Sequence, residues 1–365
     1  MGIQILRPPI ESARRIIAIS DIHGHYDTFV ELLEKISYSE DDVLLLLGDL
    51  IEKGPQNLAV LRLVMRMAEQ FPVFALLGNH DMILREIERP DRNEEFLRHL
   101  LSQKKTILRE MCQELEVPIQ ENLNVPALKN LLLERFAPEI AFLNGLPHVI
   151  ETEHFIFAHA QILPGALEEL SPAQVLRADA FLSKGYSFEK YVVVGHWPVM
   201  NYREDKRDAK PLIQQQRRIL SLDGGLGVKR DGQLNALIIT PGAEEPFQVA
   251  YADPLPKATA KNSQLAGEFC HMLSWQDRVK PLREENDFVY CRQESTGQDF
   301  WIPKSFLWEH EDGWSSSDIN DYQLRVTMGD EVSVVESTSR GYLVKKDGVT
   351  GWYYGMLDFH EKTET

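Results

Sequence analysis

Residues 15–24 read RIIAISDIHG, a stretch in which an apolar run passes directly into a polar, glycine-containing turn. The same pattern recurs at 43–49, VLLLLGD, and at 73–81, VFALLGNHD. Between these runs, residues 28–36 and 58–69 carry apolar side chains near helical spacing. Strands that are apolar throughout and alternate with helices are typical of a sheet buried on both faces. We therefore predict an α/β fold whose functional residues collect beyond the carboxyl ends of the strands.

This pattern continues after an interruption. Residues 82–145 are rich in Leu, Glu, Arg and Lys, which predicts a helical insertion that is broken near its prolines. These prolines are Pro90, Pro118, Pro126 and Pro138. Strands then resume, and we predict them at 154–158, 191–194, 218–222 and 234–239.

The texture of the chain changes after residue 252. Residues 253–263, DPLPKATAKNS, are rich in Pro, Lys and small side chains, which is typical of an exposed linker. Beyond it, 277–306 and 330–359 share a weak repeat in which Asp-x-Val precedes a charged turn, a short aromatic strand and a Gly-containing stretch before Trp. Both copies resemble small all-β, SH3-like modules. The predicted parts are a catalytic domain over 1–252, the linker 253–263, and modules at 264–312 and 313–365.

The chain has 365 residues with 56 acidic and 39 basic side chains, which gives a formal net charge of −17. A surface this acidic argues against nonspecific binding to nucleic acid or to an anionic membrane. It is compatible with a phosphorylated substrate, because bound metal ions can reverse the field inside one pocket. The three cysteines lack the spacing of a disulfide framework, and the N-terminal residues lack an apolar stretch of signal-peptide length. We expect a cytoplasmic protein with neither a nucleic-acid nor a membrane partner.

Polar motifs that can hold metal ions follow five of the predicted strands. Carboxylates, imidazoles and amide oxygens are ligands that divalent cations accept. Asp21 and His23 stand two positions apart and therefore project to one side of an extended chain, and Asp49 offers two oxygens that can bridge two ions. Two ions about 3.5–4 Å apart can clamp a phosphoryl group and activate a water molecule. The motifs are DIHG at 21–24, GD at 48–49, EKG at 52–54, GNHD at 78–81, His159 and His196.

In this order, DxHG, GDxxxKG, GNHD and two later histidines resemble the motifs of calcineurin-like metallophosphoesterases over residues 15 to about 240. Within that family the chain most resembles the bacterial branch of the serine/threonine protein phosphatases, to which diadenosine tetraphosphate hydrolases also belong. The resemblance implies a β-sandwich flanked by helices and a centre for two divalent cations, with manganese favoured and iron or zinc as alternatives. It implies that Asp21, His23 and Asp49 hold the first ion, and that Asp49, Asn79, His159 and His196 hold the second.

The resemblance also assigns roles around the phosphate. His80 would protonate the leaving group, and Glu52 stands where the family has the carboxylate that orients that histidine. The family usually has Asp and Arg where this chain has Glu52 and Lys53, and lysine offers a point charge where arginine offers a planar fork. Lys53 and Arg177 would bind the phosphate. The alternatives are a solvated surface lysine and an arginine in a surface ion pair.

We therefore expect a dinuclear-metal phosphatase that hydrolyses phosphomonoesters by attack of a metal-bridging hydroxide, and we favour a serine/threonine protein phosphatase. The alternative substrate is a dinucleoside polyphosphate such as diadenosine tetraphosphate, which a cap formed by 82–145 would favour. A protein or peptide partner on the C-terminal modules would favour a phosphoprotein. An alternative of another class is an inactive scaffold that acts through those modules. A nuclease or cyclic-nucleotide phosphodiesterase is disfavoured, because GHWP at 195–198 replaces the usual GHxH.

Overall fold

The structure is a computed structural model that describes residues 2–10, 14–268 and 270–360. The chain divides into two units. The first unit contains the residues up to 202 together with 210–228 and 233–252. The second contains 203–209, 229–232 and the residues from 253 onward. The outermost residues of the predicted domains, Met1 and 361–365, lie outside the described residues.

Strands outnumber helices in the described residues, and both are numbered here in chain order. The strands are β1 (Ile5–Leu6), β2 (Ile16–Ile19), β3 (Val43–Leu46), β4 (Val73–Ala75), β5 (Val149–Glu151), β6 (Phe155–Ala158), β7 (Tyr191–Val194), β8 (Arg207–Asp208), β9 (Leu212–Gln214), β10 (Ile219–Ser221), β11 (Leu234–Ile239), β12 (Phe247–Ala252), β13 (Lys257–Ala260), β14 (Met272–Leu273), β15 (Arg278–Glu285), β16 (Phe288–Gln293), β17 (Asp299–Pro303), β18 (Leu307–His310), β19 (Gly313–Ser316), β20 (Ile319–Asn320), β21 (Glu331–Thr338), β22 (Gly341–Lys346), β23 (Val349–Tyr353) and β24 (Leu357–Phe359). The α-helices are α1 (Tyr26–Lys35), α2 (Asn57–Gln70), α3 (Asn93–Ser102), α4 (Ile107–Glu114), α5 (Val125–Arg135), α6 (Ala137–Asn144) and α7 (Pro172–Leu176). Short 3₁₀ helices lie at Asp81–Glu86, Leu167–Glu169, Phe181–Lys184, Val199–Tyr202 and Lys304–Phe306.

Two sheets form the first unit, with the spatial orders β12-β11-β2-β3-β4 and β1-β5-β6-β7-β10-β9. In the first sheet, β2, β3 and β4 run parallel, and the register sets Ile16 beside Val43 and Leu44 beside Val73. In the second sheet, β6, β7 and β10 are parallel to one another. Every residue of β2 and β3 is buried, because both faces of these strands are covered. The predicted mixed α/β fold is confirmed.

Apolar side chains place the layers of this unit. Ala18 of the first sheet and Val193 of the second belong to one core cluster, which fills the space between the sheets. On the other face of the first sheet, Leu44 shares a core cluster with Leu61 of α2. On the second sheet, Val192 shares a cluster with Val175 of α7. The unit is therefore a two-sheet sandwich with helices on both outer faces.

The insertion at 82–145 is a packed layer of helices. Leu100 of α3, Leu108 of α4 and Leu132 of α5 are buried in the same core cluster as Leu61 of α2. The predicted breaks near the prolines coincide with helix boundaries: α4 ends at Glu114, before Pro118, and Pro126 and Pro138 lie in the first turns of α5 and α6. Proline is tolerated there because the first N–H groups of a helix have no intrahelical acceptor. Within the described residues, no helix is long and apolar enough to cross a membrane.

The described part of the second unit consists of β-strands and one short 3₁₀ helix. The two segments of the predicted repeat form similar antiparallel meanders, β15-β16-β17 and β21-β22-β23. Each meander has an irregularity in register at the same place, after Pro281 in one and after Val334 in the other. The resemblance of these meanders to SH3-like domains stays a prediction.

Two strands of the second unit lie across the predicted boundaries of the linker and the modules. Strand β13 lies within the predicted linker 253–263 and pairs with β21 and β24. Ala258 and Ala260 alternate inward with exposures of 0% and 1%, so the small side chains that suggested a linker instead fit a sheet face. Strand β19 lies beyond residue 312 but pairs with β15 and β18 of the first meander's sheet.

Buried ion pairs stabilise the second unit. The Arg207 guanidinium donates two hydrogen bonds to the Asp231 carboxylate, at 2.9 and 2.6 Å, and both side chains are almost fully buried. The Lys345 ammonium lies 2.9 Å from the Asp253 carboxylate, also in the interior. Burial alone would raise the pKa of Asp231, but the charge and hydrogen bonds of Arg207 lower that pKa to about 2. The Asp231 carboxylate therefore stabilises the folded state in its ionised form.

We expect acid to destabilise the second unit between about pH 4 and pH 2 because of this carboxylate. The pKa of Asp231 falls from 3.8 to about 2 on folding. Its contribution, about 2 kcal/mol, is therefore complete above pH 4 and lost as the pH falls through 2. Urea unfolding of the full chain from pH 5 to pH 2, followed by tryptophan fluorescence, measures this slope, since every tryptophan except Trp197 lies in the second unit. Asp231→Asn should lower stability at pH 7 and flatten the slope, whereas the exposed-pair control Asp299→Asn should keep it. An unchanged slope in Asp231→Asn would contradict the assignment.

Candidate metal centre

The carboxyl ends of five strands meet at one edge of the sandwich and carry the polar motifs. Strands β2, β3 and β4 are parallel neighbours in one sheet, and β6 and β7 are parallel neighbours in the other. Because the carboxyl ends of parallel strands share an edge, the turns that follow them are brought together. These turns carry Asp21, His23, Asp49, Asn79, His159 and His196, all within the first unit.

Two groups of side chains could each hold a metal ion, and they share Asp49. One group is Asp21, His23 and Asp49, and the other is Asp49, His159 and His196. In each group the ligand atoms lie within 4.8 Å of one another. A carboxylate common to two such groups can place two cations a few ångströms apart.

Hydrogen bonds to the Nδ1 atoms of His159 and His23 determine where the Nε2 atoms of these rings point. His159 Nδ1 lies 2.9 Å from the carbonyl oxygen of Leu47, and His23 Nδ1 lies 3.3 Å from that of Ile51. A carbonyl only accepts, so each Nδ1 donates and each Nε2 keeps a lone pair. His159 Nε2 lies 3.0 Å from Asn79 Oδ1 and 3.5 Å from Asp49 Oδ2. Three acceptors that converge in this way suit a cation between them.

The carboxylates of the centre are buried without a basic partner. Asp21 is 2% exposed and Asp49 is 1% exposed. Within the described part of the chain, neither carboxylate forms an ion pair with a lysine or an arginine. Burial and neighbouring carboxylates raise the pKa of Asp21 well above its usual range, and burial raises that of Asp49 to about 7. Buried, uncompensated carboxylates beside imidazole lone pairs are a donor set that fits divalent cations.

Four of the six candidate ligand residues adopt strained backbone conformations. Asp21, His23, Asp49 and His196 have φ angles of 57°, 50°, 53° and 68°, in the left-handed region that side chains with a Cβ rarely adopt. Each such residue costs roughly 1–3 kcal/mol, and such strain concentrates at functional sites.

Asp81 is a residue of the centre to which the sequence assigns no role. It is 1% exposed, and its carboxylate accepts N–H groups from Asp49 and Gly78 at 2.9 and 2.8 Å and from Leu50 at 2.9 Å. It therefore ties the turn after β3 to the turn after β4. Gly78 is required there, because a Cβ at this position would lie 2.2 Å from Asp49 Oδ1. Asp81 is visible in the sequence as the Asp of the GNHD motif. Its hydrogen-bond partners are backbone N–H groups, which a sequence motif cannot reveal.

The structure does not form the expected contact between Glu52 and His80. Glu52 instead accepts the Thr106 hydroxyl at 2.7 Å and the Ile107 N–H at 2.9 Å. Among the described residues, no hydrogen bond joins Glu52 to His80. The extra methylene of glutamate carries this carboxylate to the insertion, which explains the departure from the predicted role.

His80 lies beside the centre, and Lys53 and Arg177 are charged neighbours that influence it. The backbone N–H of His80 donates to Asp49 Oδ1 at 2.8 Å. The His80 ring lies edge-on to the His23 ring, with centroids 5.3 Å apart. Lys53 and Arg177 are exposed. Burial, Lys53, His159 and Arg177 lower the pKa of His80 to about 4. The Lys53 and Arg177 side chains are thus close enough to act on the centre electrostatically. Their roles, and that of His80, stay predictions.

Known proteins resemble parts of this chain. Residues 14–212 match the model of the calcineurin-like phosphoesterase family. A "bis(5'-nucleosyl)-tetraphosphatase, symmetrical" from Baumannia cicadellinicola subsp. Homalodisca coagulata is 31% identical over 147 residues, which cover 40% of this chain and 42% of that protein. A protein of the same name from Buchnera aphidicola subsp. Baizongia pistaciae is 48% identical over 67 residues, which cover 18% and 23%. The chain therefore spans less than half the length of either relative.

A solved structure of a serine/threonine phosphatase from Saccharomyces cerevisiae also resembles the chain. It is 10% identical and has a TM-score of 0.43. The alignment covers 69% of this chain and 84% of that one.

We expect Asp81→Asn to weaken metal binding about 10- to 100-fold, because outer residues that position ligands have effects of this size. The amide keeps the size of the side chain but presents an NH₂ group to backbone donors. Calorimetric titration of the metal-free protein with Mn²⁺ measures the change. Asp42→Asn is the matched control, since Asp42 is equally buried but binds Arg15. Equal affinities in Asp81→Asn and the wild type would contradict the role given to Asp81.

Proposed function

The chain belongs to the calcineurin-like phosphoesterase family, and on that premise we propose that it is a metal-dependent hydrolase of phosphoric esters and anhydrides. The shared position of Asp49 between the two potential metal-binding groups carries this proposal. A single carboxylate placed in this way is what a dinuclear centre requires. The buried, uncompensated charge of Asp21 and Asp49 supports it independently.

Asp21, His23 and Asp49 would hold the first cation, and Asp49, Asn79, His159 and His196 the second. Two divalent cations in these positions would supply Lewis-acid charge for the phosphoryl oxygens and a water of lowered pKa for attack on phosphorus. The chain contributes the geometry, because Asp81 and the outer partners of His23 and His159 hold the ligands before substrate enters.

The remaining residues would act on the phosphoryl group and on the leaving group. Lys53 and Arg177 are exposed cations at the mouth of the centre and would bind the phosphoryl oxygens as charge shifts to them. His80 lies beside Asn79 with a half-buried ring and would pass a proton to the leaving oxygen when substrate is bound, because the negative phosphate beside the ring would raise the lowered pKa of the imidazole. No covalent bond between chain and phosphate is needed in this scheme.

A dinucleoside tetraphosphate is the first candidate substrate. Two relatives that are 31% and 48% identical over their aligned parts are named bis(5'-nucleosyl)-tetraphosphatase. The aligned stretches are partial, so the name supports this substrate as a proposal for the present chain. Cleavage at the centre of the phosphate chain would release two nucleoside diphosphates.

A phosphoprotein is the second candidate, and a surface of the second unit favours it. Trp301, Arg340, Trp352 and Tyr354 line one groove there. The Arg340 guanidinium lies 3.8 Å from the centroid of the Trp301 ring, and Tyr354 is 55% exposed. An aromatic groove of this kind suits a peptide segment, which would bring a phosphoserine or phosphothreonine protein to the enzyme.

We expect Asp49→Asn to lower turnover at least about 100-fold, because it removes the charge shared by both cations. Initial rates with Mn²⁺ measure this effect, and EDTA should abolish wild-type activity. Circular dichroism checks that the variant is folded, and Asp42→Asn again controls for the loss of a buried carboxylate. Near-normal turnover in Asp49→Asn, or activity that resists EDTA, would contradict the dinuclear proposal.

We expect diadenosine tetraphosphate to be hydrolysed faster than a phosphothreonine peptide at equal concentration, with ADP as the product. Separation of the products by ion-exchange chromatography measures both the rate and the position of cleavage. A clear preference for the peptide would favour a phosphoprotein over a dinucleoside tetraphosphate as the substrate. Absence of activity on both, in a chain that also binds no Mn²⁺, would support the scaffold alternative instead.

A further inference from the structure

The turn that carries Lys53 is attached to the helical insertion. The Lys53 N–H donates to the carbonyl oxygen of Lys105 at 3.1 Å. The preceding residue, Glu52, accepts the Thr106 hydroxyl and the Ile107 N–H. Glu52 and Lys53 have φ angles of 73° and 72°, which cost free energy unless the surroundings hold them. The loop between α3 and α4 therefore holds this turn in place.

A second loop approaches the same turn from another side. Gly227 has a φ angle of 73°, and a Cβ there would lie 3.3 Å from Lys53 Cβ and 2.9 Å from His25 Cε1. The backbone around Lys53 is thus enclosed on two sides while its side chain stays exposed. This arrangement fixes where the Lys53 stem leaves the turn and brings His25 beside it.

Lys53 and Lys105 form an uncompensated basic pair, here called the basic rim. Both side chains are exposed, and their backbones are hydrogen-bonded to each other. Among the residues that the structure describes, neither lysine forms an ion pair or a side-chain hydrogen bond. The one carboxylate within this turn, Glu52, is turned toward Thr106 and Ile107. In a chain with a net charge of −17, two such cations beside a phosphate-binding centre are a local attraction for an anion.

We propose that Lys105, paired with Lys53 in the basic rim, binds the phosphate group next to the one that is hydrolysed. The proposal rests on the proposed function and deepens it. A phosphomonoester carries one phosphate, which the metal centre, Lys53 and Arg177 suffice to neutralise. A linked second phosphate adds a charge that extends beyond the centre, and Lys105 is an exposed cation whose backbone is hydrogen-bonded to that of Lys53. The basic rim thus selects substrates with linked phosphates, and Thr106 is a positioning residue that holds it.

The first test compares two substrates in one set of variants. Lys105→Ala should raise KM for diadenosine tetraphosphate about 2- to 5-fold, the upper part of the range for one solvent-exposed charge contact. KM for p-nitrophenyl phosphate, which has no second phosphate, should change less than twofold. Lys105→Glu should raise the dinucleotide KM further, and 0.5 M salt should shrink all these differences. Lys280→Ala removes an exposed lysine from the second unit and should change neither KM.

The second test addresses the positioning residue. Thr106→Val keeps the shape of the side chain but removes the hydroxyl that Glu52 accepts, so the dinucleotide KM should rise as in Lys105→Ala. Thr106→Ser restores the hydroxyl and should restore the KM. A purely structural role of Thr106 would instead change the kinetics of both substrates equally.

The outcomes separate this proposal from the function on which it rests. If the wild type hydrolyses neither substrate with Mn²⁺, the proposed function fails. If it hydrolyses both and the Lys105 variants change the two KM values equally, or change neither, the basic rim is wrong. Circular dichroism of each variant ensures that a change in KM is not a change in folding.

Discussion

The burial of two carboxylates that, within the described part of the chain, form no ion pair with a lysine or an arginine is the constraint on which the candidate metal centre depends. Asp21 and Asp49 lie at the edge of the sandwich with at most 2% of their surface exposed. Removing a carboxylate from water costs several kcal/mol unless an opposite charge replaces the water. In the second unit, Arg207 provides that charge for Asp231. In the first unit, the lone pair of His159 Nε2 lies 3.5 Å from the Asp49 carboxylate instead, so cations bound at this edge would contribute to its stability.

The same constraint accounts for the backbone of the ligand turns. A residue in the left-handed region costs roughly 1–3 kcal/mol, and four ligand residues adopt that conformation. The cost is tolerable because each turn begins at the end of a strand buried on both faces, whose position the core determines. Asp81 then joins two of the turns through their N–H groups. Rigid strands and buried acceptors together hold the ligands in place before any cation binds.

The meeting of the candidate metal ligands at one edge could be predicted from the sequence, because each follows a short apolar run and parallel strands bring their ends together. The contact of Glu52 could not, because its partner Thr106 is 54 positions away on an insertion. Where that insertion docks depends on the packing of its helices against α2, which no local pattern shows. Strand β13 was missed for a related reason, since only Ala258 and Ala260 alternate inward within a proline-rich stretch. Both the Glu52 contact and strand β13 depend on partners that are distant in the sequence.

The two departures from the family pattern, Glu52 and Lys53, have one physical explanation. Glutamate has one methylene more than aspartate, and in this chain its carboxylate reaches the insertion instead of His80. The loop it binds also holds the backbone of Lys53 through Lys105. A lysine lacks the planar fork of arginine and is more flexible, so a fixed backbone offsets part of the lost rigidity. The helical layer therefore supports the turn beside the candidate metal centre, because its loop supplies hydrogen bonds that help to hold Glu52 and Lys53 at positive φ.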